Sequence, residues 1–265
     1  MADQQHESDA GLLRIDSLTL FFGGLRVLDR ISLTVPQGIV CGLVGPNGAG
    51  KTSLFNCVNG LYRPNSGRIL IAGTDTLEVP PHRLAALGLA RTFQHAWLDP
   101  AATVLDNVLV GGHTRIRGGP FSLALRLPLV RRDEARLRRR ALDLLEYLDL
   151  GYAADRLAGS LPFATAKRVE IARALLAEPR LLMLDEPASG VTHAHAEVDA
   201  LAGMIQRMRT ELGLTILLVE HHMGLVSAVT DRVVALVEGR KVAEGTAAQV
   251  REHPTVVEAY LGMVA

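Results

Sequence analysis

The chain has 265 residues in which 28 Lys+Arg balance 28 Asp+Glu, enough for one large domain or a domain with an inserted lobe, and without the basic footprint of a nucleic-acid binder. Its two cysteines, Cys41 and Cys57, sit in apolar company and read as reduced core residues, not as a disulfide framework. No uninterrupted apolar run approaches the roughly 20 residues of a spanning helix, and the polar start reads as a disordered tail over residues 1–11 of a soluble chain.

Mean hydropathy is nonetheless +0.21, on the apolar side for such a chain, as expected where partners cover some apolar surface. Leu12–Leu20 alternates loosely and ends in Phe21-Phe22-Gly23-Gly24. Ile31–Val35 is a second short strand, and Pro36-Gln37-Gly38 turns the chain into the apolar strand Ile39–Val44.

The next stretch is Gly45-Pro46-Asn47-Gly48-Ala49-Gly50-Lys51-Thr52-Ser53, followed by the helix-like Thr52–Asn59. Glycines at 45, 48 and 50 let the backbone curl with its N–H groups inward, and with a helix N-terminus those groups cradle phosphate oxygens. Lys51 then reaches the β- and γ-phosphates and the Thr52 hydroxyl holds Mg²⁺. A strand entering and a helix leaving are the context that this motif requires, so the stretch predicts a nucleoside triphosphate site.

Gly60 stops that helix, Pro64-Asn65-Ser66-Gly67 turns, and Arg68–Ile71 is a strand closed by Gly73. Pro80-Pro81 opens a helix to about Leu87, and Leu89–Phe93 runs up to Gln94. From His95 to about Leu161 the periodicity is helical, with Thr103–Val110, a Gly- and Pro-punctuated stretch through Pro128, and a long helix from about Arg131 to Leu148. This predicts an inserted helical lobe over residues 95–161 within one domain spanning 12–265. The long helix carries Arg131, Arg132, Arg136, Arg138, Arg139 and Arg140, expected on a solvated face or against an acidic or membrane-proximal partner.

The remainder alternates in the rhythm of a parallel α/β sheet: helix Ala166–Ala177, strand Arg180–Leu184, helix His195–Glu211, strand Leu214–Val219, helix His222–Val229. A hairpin, Arg232–Val237 and Arg240–Ala243, turns at Glu238-Gly239, and short helices follow to Leu261. Leu181–Leu184 ends in Asp185-Glu186, as a buried strand does when it delivers carboxylates to a site at its C-terminal end. Asp185 is placed to hold Mg²⁺ and Glu186 to polarise an attacking water.

Taken together these residues resemble the ATP-binding subunits of ABC transporters over nearly the whole chain. The Walker A loop is Gly45–Thr52, the Q-loop glutamine is Gln94 in Arg91-Thr92-Phe93-Gln94, the Walker B pair is Asp185 and Glu186, and the switch histidine is His221. Within that superfamily Phe22-Gly23-Gly24, the Arg-rich insertion, Glu170–Leu175 and the ending Glu258-Ala259-Tyr260-Leu261-Gly262 look like the branched-chain amino acid importers. The resemblance implies a RecA-like P-loop NTPase core with an antiparallel β-lobe and an inserted helical subdomain, hydrolysing ATP with Mg²⁺. It implies that Phe22 stacks on adenine, that Gln94 senses γ-phosphate and Mg²⁺, and that His221 bonds the γ-phosphate; His222, where many relatives have Asp, is assigned no role.

The same resemblance implies a second ATPase subunit, non-identical in this branch, two membrane permease subunits, an external solute-binding protein acting through them, and no nucleic acid. It places the chain peripherally on the cytoplasmic face of the inner (plasma) membrane, powering import of branched-chain or related hydrophobic amino acids. Lipid or lipopolysaccharide export and a non-transport ABC ATPase stay open as alternatives. Two departures stand out: the signature, Leu-Ser-Gly-Gly-Gln in most of the family and Leu-Pro-Tyr-Gly-Gln in many of this branch, is Leu161-Pro162-Phe163-Ala164-Thr165, with Ala164 in place of the phosphate-facing glycine, and the D-loop has Thr192 where Asp or Asn is usual. Both segments act across a dimer, so they bear on completion of a partner's site: the expectation is one competent and one slow site, the alternative being that the Ala164 N–H still reaches the phosphate and leaves two equal sites.

Overall fold

β1 (Leu13–Phe22) and β2 (Leu25–Val35) form an antiparallel hairpin across Gly23-Gly24 in the computed structural model, which describes residues 11–94, 97–115, 128–190 and 195–261. The expected tail lies outside the described residues except for Gly11. β2 begins at Leu25, well before the expected Ile31, because the bulge at Arg30 (φ +51°) and the register shifts against β1 break the alternation that marks a strand in sequence. β4 (Ser66–Ile71) and the short β5 (Thr74–Asp75) complete a four-stranded antiparallel sheet of order β2-β1-β4-β5.

β3 (Val40–Val44) feeds α1 (Lys51–Val58) through the glycine-rich loop. With β6 (Leu89–Arg91), β7 (Leu181–Asp185), β8 (Thr215–Val219), β9 (Arg232–Val237) and β10 (Arg240–Gly245) it builds a sheet of order β10-β9-β3-β8-β7-β6. β3, β7 and β8 are buried at every position, which is why they read as unbroken apolar runs. Leu54 and Phe55 of α1 join both sheets in one core with Leu13, Ile31, Ile69, Met183 and Leu217. Outside the sheet lie α5 (His195–Leu212) and α6 (Met223–Val229), with α7 (Ala247–Arg251) and α8 (Pro254–Leu261) at the end of the described chain.

The chain divides into two compact units: one of residues 1–89, 180–188 and 192–265, the other of 90–179 with 189–191. The second contains α2 (Val104–Val110), α3 (Pro128–Tyr147) and α4 (Phe163–Leu176). On α3 the buried Val130, Asp133, Leu137, Ala141 and Leu144 recur at helical spacing, and all six arginines from Arg131 to Arg140 are exposed. Two further elements differ from expectation. The segment after Pro80 is a 3₁₀ stretch (Pro81–Leu87), and α4 starts at Phe163 instead of Ala166 because Pro162, with φ −57°, sets the entry and its carbonyl accepts the Ala166 N–H.

Candidate functional site

Parallel register brings the functional loops to one sheet edge. Leu43 of β3 and Asp185 of β7 both pair with Val219 of β8, so the segments leaving these strands, Gly45–Gly50, Glu186–Ala188 and Glu220-His221, emerge side by side at the strands' carboxyl ends.

The glycine-rich loop has the geometry of an anion cradle. Gly45, Gly48 and Gly50 take φ of +148°, +81° and +99°. A Cβ on Gly45 would run into the Leu236 carbonyl, and one on Gly50 would sit 2.8 Å from Leu28 Cδ2 and 2.9 Å from the Val27 oxygen. Gly50 caps α1 without a side-chain hydrogen bond, so the helix's first amides face the loop. Lys51 is 5% exposed and its Nζ donates to the carbonyls of Gly45 at 2.6 Å and Pro46 at 2.9 Å. Burial pulls the Lys51 pKa down, partly countered by the carboxylates of Glu186 and Asp185. The Gly45 N–H itself is taken by the hydroxyl of Tyr260 at 3.1 Å.

Asp185 closes β7, nearly buried, and Glu186 follows it with φ +47°, a left-handed conformation that costs a non-glycine residue energy. Its N–H is fixed by the Val219 carbonyl at 2.9 Å. His221 Nε2 lies 2.7 Å from Glu186 Oε1; a carboxylate only accepts, so Nε2 carries the proton. A cleft of about 290 Å³ is lined by Phe22, Val27, residues 47–53, Glu186 and His221. Phe22 is 47% exposed there and meets Tyr62 edge-on, centroids 5.1 Å apart.

Cradle amides, a buried lysine and an exposed aromatic at one cleft suit a nucleotide with a polyphosphate. The Asp185 carboxylate and Thr52 hydroxyl are hard oxygen donors of the kind Mg²⁺ takes alongside phosphates and water. The first unit thus brings together the expected Phe22, Gly45, Pro46, Asn47, Gly48, Ala49, Gly50, Lys51, Thr52, Ser53, Asp185, Glu186 and His221.

Gln94 and Leu161–Thr165 belong to the second unit. The backbone before Gln94 is clamped by α4: Phe93 N–H donates to buried Glu170 Oε1 at 3.2 Å, and Lys167 Nζ donates to the Phe93 carbonyl at 2.6 Å. Pro162 is the N-cap of α4 without a capping side chain, and Phe163, half exposed, begins the helix ahead of Ala164. Gly190 (φ +78°) packs on the Phe163 ring so closely that a Cβ would collide with it. Thr192 lies outside the described residues.

Sequence reasoning passed over Tyr62, Glu220 and Tyr260 as parts of the site, and no local pattern in a single sequence marks them. His222 is structural, capping α6 with its Nδ1, which accepts the Leu225 N–H at 3.1 Å.

The ABC transporter family profile matches residues 28–189, and that of the branched-chain amino acid ATP-binding cassette transporters matches 240–262. The chain is 39% identical over 251 residues to the high-affinity branched-chain amino acid transport ATP-binding protein BraF of Pseudomonas aeruginosa, covering 95% of this chain and 98% of BraF. It is 40% identical over 252 residues to LivG of Escherichia coli, described in the same words, with the same coverage. Among solved structures it superposes with a TM-score of 0.81 on the ADP conformation of an ATP-binding cassette of an ABC transporter, at 30% identity over 95% of this chain and 98% of that one.

Proposed function

The chain belongs to the ABC transporter family as an ATP-binding subunit, and from that membership we propose that it hydrolyses ATP to drive import of branched-chain or related hydrophobic amino acids. The observation that carries this reading is the His221–Glu186 contact of 2.7 Å beside the Lys51 cradle, at one edge of a parallel sheet. The match of residues 240–262 to the amino acid branch favours that solute class over lipid export or a non-transport role.

The residues divide the work by chemistry. The amides of Asn47, Gly48 and Gly50, the first amides of α1 and the Lys51 ammonium bind the phosphates, and the Phe22 ring stacks on the base. Glu186 accepts a proton of the attacking water, and His221 Nε2–H, which rests on Glu186 in the nucleotide-free site, turns to the transferred phosphate as a donor for its developing charge. Asp185 and Thr52 would hold Mg²⁺, which would neutralise phosphate charge when bound. Gln94 couples hydrolysis to the movement of two permease subunits.

No helix among the described residues is long and apolar enough to cross a membrane; the reading assigns the chain to the cytoplasmic face of the inner membrane through those permeases, on the ground of its family membership. A second, non-identical ATPase subunit completes the dimer, and an external binding protein delivers solute. Co-purification with permease subunits, and ATPase activity stimulated by solute-loaded binding protein in vesicles, is expected. Co-purification with ribosomes or DNA instead would overturn it. Gln94→Ala in the assembled transporter should lose transport more severely than ATPase.

A further inference from the structure

Glu220 directly follows β8 as a nearly buried carboxylate, 3% exposed, between the two loops that carry the proposed hydrolytic residues. Burying a charge is unfavourable unless hydrogen bonds replace its water. Here three backbone donors do so: Oε1 accepts the Ala188 N–H at 2.7 Å, and Oε2 accepts the N–H groups of His221 at 2.8 Å and His222 at 3.1 Å. Ala188 follows Glu186 by two residues, and His221 is the imidazole that meets Glu186. The turn Glu186-Pro187-Ala188 is therefore pinned at both ends by β8, through the Val219 carbonyl on Glu186 N–H and through Glu220 on Ala188 N–H.

We propose that Glu220 is a positioning residue for hydrolysis: its carboxylate ties the loop after β7 to the loop after β8, so that His221 and the left-handed Glu186 meet at 2.7 Å. The buried carboxylate acts by orienting groups, not by touching nucleotide. The frame also explains how Glu186 keeps a φ of +47°, since two backbone hydrogen bonds over-determine the turn. A shorter hydroxyl side chain at this position could accept from one loop but not span both.

The test rests on the ATPase reading above and uses the subunit assembled with its permeases, with activity of the unaltered protein as the reference. Glu220→Gln keeps the shape but turns one acceptor into an N–H donor facing a backbone N–H. The expected result is a fall in kcat of about tenfold or more with KM for MgATP within about twofold, since positioning without ground-state contact acts on turnover. In a His221→Ala background the same change should add less than about twofold, because two residues acting through one contact are not additive. An unaltered kcat, a parallel change in kcat and KM, or full additivity with His221→Ala overturns the proposal. If Glu220→Gln fails to fold, Glu220→Asp decides: it keeps the charge but withdraws the oxygens by one methylene, and wild-type kcat there overturns the proposal, whereas lowered kcat at constant KM supports it. An unaltered protein without ATPase activity would instead sink the functional reading itself.

Discussion

His221 Nε2 sits 2.7 Å from Glu186 Oε1, and the residue that makes this possible is held in a backbone conformation that side chains other than glycine rarely adopt. On the proposed reading, this strained carboxylate at the lip of the phosphate cradle takes the proton of the water that attacks the nucleotide. Glu186→Gln should leave ATP affinity nearly unchanged while turnover falls by about 10²-fold or more, measured as ATPase rate against nucleotide titration. Undiminished turnover would remove Glu186 from the mechanism.

On the proposed reading Lys51 acts oppositely, as a group that binds the phosphates. Lys51→Ala removes charge-assisted contacts worth about 1.5–3 kcal/mol each, so the dissociation constant for ATP should rise about tenfold to a hundredfold. Calorimetric titration checks this; an unchanged constant would mean that Lys51 serves only the loop carbonyls of Gly45 and Pro46.

The Tyr260 hydroxyl accepts the first amide of the phosphate loop, tying α8 to Gly45. Tyr260→Phe deletes that one oxygen and should cost about 0.5–1.5 kcal/mol. The loss is expected as a lower unfolding midpoint together with weaker ATP binding, and a variant identical to wild type in both would show the contact to be incidental.

Ala164 is the second residue of α4, after a proline that offers neither hydroxyl nor N–H. If this helix start completes a partner's site, a misfit that forfeits one charge-assisted bond slows that site about ten- to a hundredfold. Ala164→Gly in the assembled transporter should then raise the ATPase rate. No change would show two equal sites.

Burial pushes the thiols of Cys41 and Cys57 up to about 12 from the ordinary 9.0, with Cys41 further raised by nearby Glu244. Above pH about 9 the unfolded chain releases thiol protons that the folded chain keeps. The stability from the buried neutral thiols is therefore full below pH 9 and declines as pH rises towards 12, by about 1.4 kcal/mol per pH unit for each thiol. Urea unfolding from about pH 8 to about pH 10.5 should show this slope, and Cys41→Ala with Cys57→Ala should flatten it. At about pH 8 neither thiol of the folded protein should react with an alkylating reagent.

The amino-acid sequence by itself determined whatever is written in adjacent residues. The loop of Gly45, Gly48 and Gly50 is legible because positive φ there demands glycine, and the carboxylates of Asp185 and Glu186 are legible because a fully buried strand has no polar residue until its end. The apolar β3, β7 and β8 and the arginine face of α3 follow from periodicity, which is also local. Tertiary structure alone decided the rest. The early start of β2 shows only in its pairing with β1, since a bulge at Arg30 scrambles the alternation. Tyr62 reaches Phe22, Glu220 reaches Ala188 across 32 positions, and Tyr260 reaches Gly45 across 215. Such contacts have no period or spacing to betray them, because they arise when the parallel register of β3, β8 and β7 brings distant loops to one edge, and register is a property of the folded sheet.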